Sequence, residues 1–159
     1  MQPTDEIIVE IATIENAEEI LALQKKSYVS EAEIIDDFTI PPLHQTIDEI
    51  ISEFNNQVFL KFELENRIIG SVRCYLEKVT CHIGKLIVHP DYQNLGIGTK
   101  LLSAAESQFE NAKRYELYTG EMSKRNLYIY DKNGYRVFSS KVISQKLTLV
   151  FLEKINKEA

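Results

Sequence analysis

Leu86-Ile87-Val88-His89-Pro90-Asp91-Tyr92-Gln93-Asn94-Leu95-Gly96-Ile97-Gly98-Thr99-Lys100-Leu101-Leu102 is the stretch on which the fold turns. Its first residues close an apolar strand. His89-Pro90 ends that strand, because proline has no N–H for the ladder and restricts the residue before it. Gln93 to Gly98 then open an amphipathic helix, predicted over 98–112, with Leu101, Leu102, Ala105 and Phe109 on one face. A helix N-terminus presents unpaired N–H groups at the positive end of its dipole. Glycines there let a phosphate approach the backbone with no Cβ between. The stretch therefore reads as a phosphate or pyrophosphate cradle. A P-loop would place a Lys-Ser/Thr pair after its second glycine, whereas the order here is Gly98-Thr99-Lys100 and the first glycine stands too close. A dinucleotide fingerprint would have glycine or alanine where this chain has Leu101.

Working outward, Ile7 to Ala12 reads as a first strand rich in β-branched residues. Asn16, with Glu19 three residues on, predicts the start of a helix over about 17–30. Glu31 to Gln45 is irregular, and Pro41-Pro42 breaks any helix there. Thr46 and Glu49 form a capping box for a second helix that stops at Asn55-Asn56. Strands follow over 57–65, 68–76 and 80–88, the first two joined by a turn at Asn66-Arg67. Beyond the 98–112 helix, Tyr115 to Thr119 reads as a strand. Ser123 caps a short helix to Lys132, with Asn133-Gly134 as its C-terminal stop. Strands over 137–142 and 146–152 make a closing hairpin, and the charged tail from Glu153 is expected to fray. The element order is β-α-α-β-β-β-α-β-α-β-β. It predicts a single-domain α/β fold over residues 1–159, a mixed and largely antiparallel sheet flanked by helices.

Composition narrows the function classes. The 159 residues carry a net charge of −6, against the basic footprint of a nucleic-acid binder and mildly in favour of cationic partners. Cys74 and Cys81 are too few for a usual zinc site, and His44, His82 and His89 stand at no ligand spacing, so no metal is expected. Both cysteines read as reduced, though a seven-residue separation leaves a cross-strand disulfide open. Met1 to Glu10 has no basic n-region, and no apolar run reaches membrane-spanning length. A cytoplasmic protein without membrane or nucleic-acid partners is expected.

Gln93-x-x-Gly96-x-Gly98 resembles the acetyl-CoA-binding motif of the GNAT superfamily of N-acetyltransferases, and Leu86 to Pro90 resembles the strand before it. Downstream, Ser123-Lys124-Arg125-Asn126-Leu127-Tyr128-Ile129-Tyr130-Asp131-Lys132-Asn133-Gly134-Tyr135 is similar to that superfamily's C-terminal signature. The resemblance spans nearly the whole chain. It implies that backbone groups of Leu86, Ile87 and Val88 hold the pantetheine arm. The loop Gln93, Asn94, Leu95, Gly96, Ile97, Gly98 and Thr99 would hold the pyrophosphate. Asn126 would contact the arm, and Tyr130 would be the general acid near the sulfur. A thiol pKa of about 8.5 against about 10 for a phenol makes that proton transfer nearly balanced.

The acceptor side is less determined by sequence. In the superfamily the first helices and their loop cover the acceptor. Tyr28, Glu31, Glu33 and Asp36 are the candidates here, as carboxylates that attract a cationic amine, against an exposed acidic loop. The segment resembles one shared by bacterial GNAT proteins of unassigned substrate. For the base, a water relay ending on His82 or Glu77 is the choice. The expected function is acetyl transfer to a small cationic primary amine by direct attack in a ternary complex. A peptide or protein N-terminus or lysine is the alternative acceptor, and a non-catalytic acyl-CoA sensor the alternative class. A homodimer pairing through the edge of the closing hairpin stays open.

Overall fold

The computed structural model describes residues 6–158, so the first five residues of the segment without a basic n-region lie outside it. Among the described residues seven strands form one sheet: β1 (Glu10–Ile11), β2 (Val58–Leu64), β3 (Arg67–Glu77), β4 (Thr80–Val88), β5 (Arg114–Gly120), β6 (Arg136–Val142) and β7 (Thr148–Ile155). The helices are α1 (Ala17–Ile35), α2 (Ile47–Phe54), α3 (Ile97–Gln108) and α4 (Lys124–Lys132). Across the sheet the order is β1-β2-β3-β4-β5-β7-β6. Neighbours are antiparallel except β4 and β5, which are parallel. Element order and sheet type agree with the sequence reading. No helix of the described residues is long and apolar enough to cross a membrane.

Apolar stripes place the helices on two faces. Ile20 and Leu23 of α1 and Ile50 of α2 meet Phe59, Ile68 and Ile87 on one face. On the other, Ile97, Leu101, Leu102 and Ala105 of α3 meet Leu60, Val72, Ile83 and Leu117. Gly70 of β3 sits directly under α3. A Cβ there would fall 2.9 Å from both Ile97 Cγ2 and Leu101 Cδ1. The Ile97 methyl rides on a stiff β-branched stem, so relief must come from a shift of α3. Gly70→Ala is expected to cost about 1–3 kcal/mol. A denaturant midpoint equal to wild type would show that the helix yields freely.

Several local expectations are corrected. β1 is two residues long, although Ile7 and Val9 still pack against the core. A single 3₁₀ turn, Ile14–Asn16, precedes α1; Asn16 stands at the N-cap of α1 as expected, but its side chain makes no cap bond to that helix and accepts from Thr13 N (2.9 Å) instead. The Glu19 carboxylate accepts from Ile68 N (2.7 Å), tying α1 to β3 instead of capping its own helix. α1 continues past residue 30 because Ala32 is fully buried, and it stops at Asp36, which takes a left-handed φ of 52°. The β2–β3 turn lies one residue earlier than expected, at Glu65-Asn66, whose φ values of 52° and 65° match the right-handed twist of the strands. α3 ends at Gln108 rather than 112. The tail does not fray at Glu153: β7 pairs with β5 as far as Ile155, and Arg114 Nε donates to Glu153 at 2.9 Å. Thr46 and Glu49 do form the expected reciprocal cap of α2. Cys74 and Cys81 are buried free thiols.

Candidate active site

β4 and β5 pair for only three positions, from Thr80–Arg114 to His82–Glu116. Past them the strands part. The local cause is a bulge in β4: Arg73 pairs with Gly84 and Ser71 with Ile87, so Lys85 and Leu86 stand opposite Val72 alone. Lys85 takes a positive φ of 50°. A bulge bends its strand and increases its twist, which turns the end of β4 away from β5. From Ile83 to Val88 the edge facing β5 has no strand partner there.

At the end of β4 the chain makes a single 3₁₀ turn, Pro90–Tyr92, and enters α3 through Gly96 at φ 87°. No side chain caps α3, and Lys100 N is bonded to the Gly96 carbonyl. The amides of Ile97, Gly98 and Thr99 are thus the free donors of the helix start. Glu6, Ile7, Leu95, Gly96, Thr99, Lys100 and Lys132 line a concavity of about 440 Å³ at this point. The two ammonium groups outnumber the one carboxylate, and beside free amides they suit an anion. Side chains of this loop mostly serve the fold. Ile97 is buried in the core, Leu95 packs partly against it, and Gln93 Nε2 donates to the Val88 carbonyl (3.4 Å). Ile87 and Val88 bury their side chains on opposite faces of the sheet. What residues 87–88 and 95–98 offer a ligand is main chain.

α4 joins the glycine loop to a second cavity. A Cβ on Gly98 would sit 3.5 Å from Ile129 Cδ1, and Asn133 Nδ2 reaches Thr99 Oγ1 at 3.4 Å. One turn away, Asn126 and Tyr130 line a cavity of about 560 Å³. Its other walls are α1, the segment 40–45, the parted ends of β4 and β5, and the β6–β7 turn. Asn126 Nδ2 donates to Thr119 Oγ1 (3.2 Å), which holds α4 across the end of β5. Tyr130 is 4% exposed. Burial is the main reason its phenol pKa is raised, with Arg125 opposing and Glu31 adding to the rise. Tyr28 is raised likewise by burial and then by Tyr130 and Tyr118. Both hydroxyls therefore keep their protons at neutral pH.

The acceptor-side candidates divide by helix geometry. Because α1 runs on to Ile35, Tyr28 and Glu31 lie three apart on one face and line the cavity. Glu33 points elsewhere and is exposed, and Asp36 sits at the helix end with Lys146 Nζ 3.9 Å from its carboxylate. Glu31 accepts from Ser123 Oγ at 2.8 Å, so Ser123 braces this carboxylate and does not cap α4 as expected. Glu77 pairs with Thr80 at the tip of the β3–β4 hairpin. His82 stacks on Tyr75 (4.9 Å) and has Nδ1 3.8 Å from Glu116. Neither lines the cavity that Tyr130 lines.

A family model for the acetyltransferase (GNAT) family matches residues 17–135. The chain belongs to the GNAT family. UPF0157 protein YqkA of Bacillus subtilis (strain 168) is 29% identical over 133 residues, which are 84% of this chain. The chain spans only 38% of that relative's length. Among solved structures, the PaiA N-acetyltransferase of Thermoplasma acidophilum in complex with coenzyme A has a TM-score of 0.78 at 17% identity, covering 95% of this chain and 99% of that one. YncA of Salmonella typhimurium, a putative acetyltransferase with its cofactor acetyl-CoA, has a TM-score of 0.76 at 14% identity, covering 98% and 96%. The Escherichia coli ribosomal-protein-S18-alanine N-acetyltransferase gives 0.78 at 10%, covering 97% and 96%. At these identities the likeness is one of fold: the GNAT sheet and helices are in place.

Two features of this GNAT site escaped the sequence reading. Arg73 is buried, with Nη2 2.6 Å from Gln24 Oε1 and Nη1 3.1 Å from Glu53 Oε1. Gln24 also donates to the Pro42 carbonyl (3.0 Å) and to Gln45 (2.9 Å), and Gln45 donates to Glu53. This network fixes the wall formed by Pro42 and Gln45. An arginine within an apolar strand was the available signal. The second feature is Lys85 on the cavity wall. Its signal was Gly84-Lys85 interrupting the apolar alternation of β4, a mark of a bulge.

Proposed function

We propose that the chain transfers an acetyl group from acetyl-CoA to a small primary amine by direct attack in a ternary complex. The observation that carries this is the position of α4, which lays Ile129 and Asn133 on the glycine loop and Asn126 and Tyr130 on the cavity. The residues present fit the acyl donor. The amides of Ile97, Gly98 and Thr99, with Lys100 and Lys132, would hold its phosphates, and the free edge of Leu86–Val88 would hold its arm. The bound donor supplies an activated acyl group as a thioester.

Tyr130 Oη carries a proton for the departing sulfur; burial raises its pKa, which makes it a weaker acid than an exposed phenol and moves the transfer away from the near-balance of the free groups. Glu31, beside Tyr130 and Tyr28, attracts the amine to this end of the cavity. The segment 40–45 and the β6–β7 turn close over the acceptor, which suits a small molecule better than a peptide lying in an open groove. His82 and Glu77 receive no proton in this reading.

The test is thiol release from acetyl-CoA against polyamines, aminoglycosides, amino acids and short peptides. Release with a small amine supports the reading. Release with peptides alone moves the acceptor to a protein, and acetyl-CoA binding without release to any amine would leave a sensor. Gly96→Ala tests the cradle. No group crowds that position within 3.9 Å, so the penalty is conformational, at φ 87°. It is expected to cost about 1–2 kcal/mol and to weaken acetyl-CoA binding in a titration. Unchanged affinity would argue that the loop's geometry does not serve the donor.

A further inference from the structure

We propose that the acceptor is a zwitterion, a primary amine that also carries an anionic group, and that Lys85 receives that group. The proposal rests on the transferase reading above and names its substrate class.

The charges around the cavity carry the argument. On the β4 side, Arg73 and Lys85 lie near Glu53. Glu53 is already committed, since its carboxylate takes Arg73 Nη1 at 3.1 Å and the side-chain amides of Gln45 and Gln57. Two cations therefore meet one anion, and Lys85 is left over. Among the described residues its ammonium has neither a hydrogen bond nor an ion pair, and burial followed by Arg73 lowers its pKa. A half-buried cation without a partner is costly, and a ligand anion offsets that cost. On the wall formed by α1 the balance reverses. Glu31 accepts from a neutral hydroxyl, Ser123 Oγ, and among the described residues pairs with no cation, beside Tyr130 and Tyr28.

The other titratable groups do not disturb this polarity. Glu49 sits at the exposed mouth, where its carboxylate caps α2 by accepting from Thr46 N (2.9 Å). His44 is turned to the Phe38 carbonyl, with Nε2 2.8 Å away. One wall thus attracts an ammonium and another an anion, around a cavity of about 560 Å³. A simple diamine would place a second positive charge against Lys85.

The experiment compares kcat/KM for matched acceptors in acetyl-CoA-dependent thiol release. One arm sets amino acids against their amides and decarboxylated amines. The other sets an aminoalkyl phosphate against the parent amino alcohol, and so separates a carboxylate from a phosphate as the anion. Wild type is expected to prefer an anionic acceptor by about tenfold or more. Lys85→Met is expected to erase most of that ratio, and Lys85→Arg to restore part of it. The inference is overturned if wild type prefers the amides or diamines, or if Lys85→Met leaves the ratio intact. Those outcomes leave the transferase reading standing. Absence of release with every amine would instead overturn that reading, and this inference with it.

Discussion

Tyr130→Phe is expected to lower kcat by about a hundredfold or more, the usual worth of a positioned general acid, while acetyl-CoA affinity holds. The substitution removes one oxygen from a ring that is otherwise buried among core residues. Packing with Tyr135, whose ring lies 6.1 Å away, is retained. A fall in kcat therefore reports the lost proton and not a lost scaffold. Because burial raises the phenol pKa, the wild-type rate should show no alkaline loss attributable to Tyr130 below about pH 10. Single-turnover kinetics beside a binding titration would separate the effects. Turnover equal to wild type would remove Tyr130 from the chemistry.

Arg73→Met has the largest expected effect on stability. Methionine fills much of the same space beside Phe59, over which the guanidinium now lies 4.5 Å from the ring centre. What it cannot replace is charge and hydrogen bonding. Gln24 Oε1 loses its donor in a fully buried site, and Glu53 loses its cation. Breaking one side of a buried pair costs about 3–5 kcal/mol. Glu53 is 23% exposed and can turn partly to water, so the lower end, about 3 kcal/mol, is expected. For a chain of this length that is a fall in Tm of about 6–12 °C. A melting scan within a degree or two of wild type would show that the network re-forms around water. The acceptor KM should rise as well, since Pro42 and Gln45 lose their anchor.

The segments that the proposed reading assigns to the acyl donor are more legible in the sequence than those it assigns to the acceptor, for a physical reason. The donor half is built from consecutive residues. Gln93 to Thr99 carry their glycines and helix start in one segment, and Asn126 and Tyr130 follow on one turn of α4. Such local patterns survive in one dimension. The acceptor half is assembled from residues far apart in the chain. Glu31 meets Ser123 over a separation of 92 residues, and Arg73 meets Gln24 over 49. No periodicity records such pairings. The acidic run after residue 30 read as a loop because its charges masked the buried Ala32 that keeps α1 going. Only that extra turn puts Glu31 on the cavity and Glu33 off it. His82 and Glu77 are polar residues of β4 and β3, but the register places them at the closed end of the sheet, where β4 and β5 still pair.

The parting of β4 and β5 also bears on how such a protein can change over evolutionary time. One set of walls is main chain: a strand edge, a bulge and the start of a helix. The other is side chains of α1, the segment 40–45 and the β6–β7 turn. Main-chain donors are indifferent to most substitutions around them, so the first set can stay constant through extensive sequence drift. Loops tolerate replacement and insertion, so the second set is free to be rewritten. Under the proposed reading, new acceptor preferences would then arise by changing a few residues such as Glu31 or Lys85, with the walls assigned to the acyl donor inherited intact.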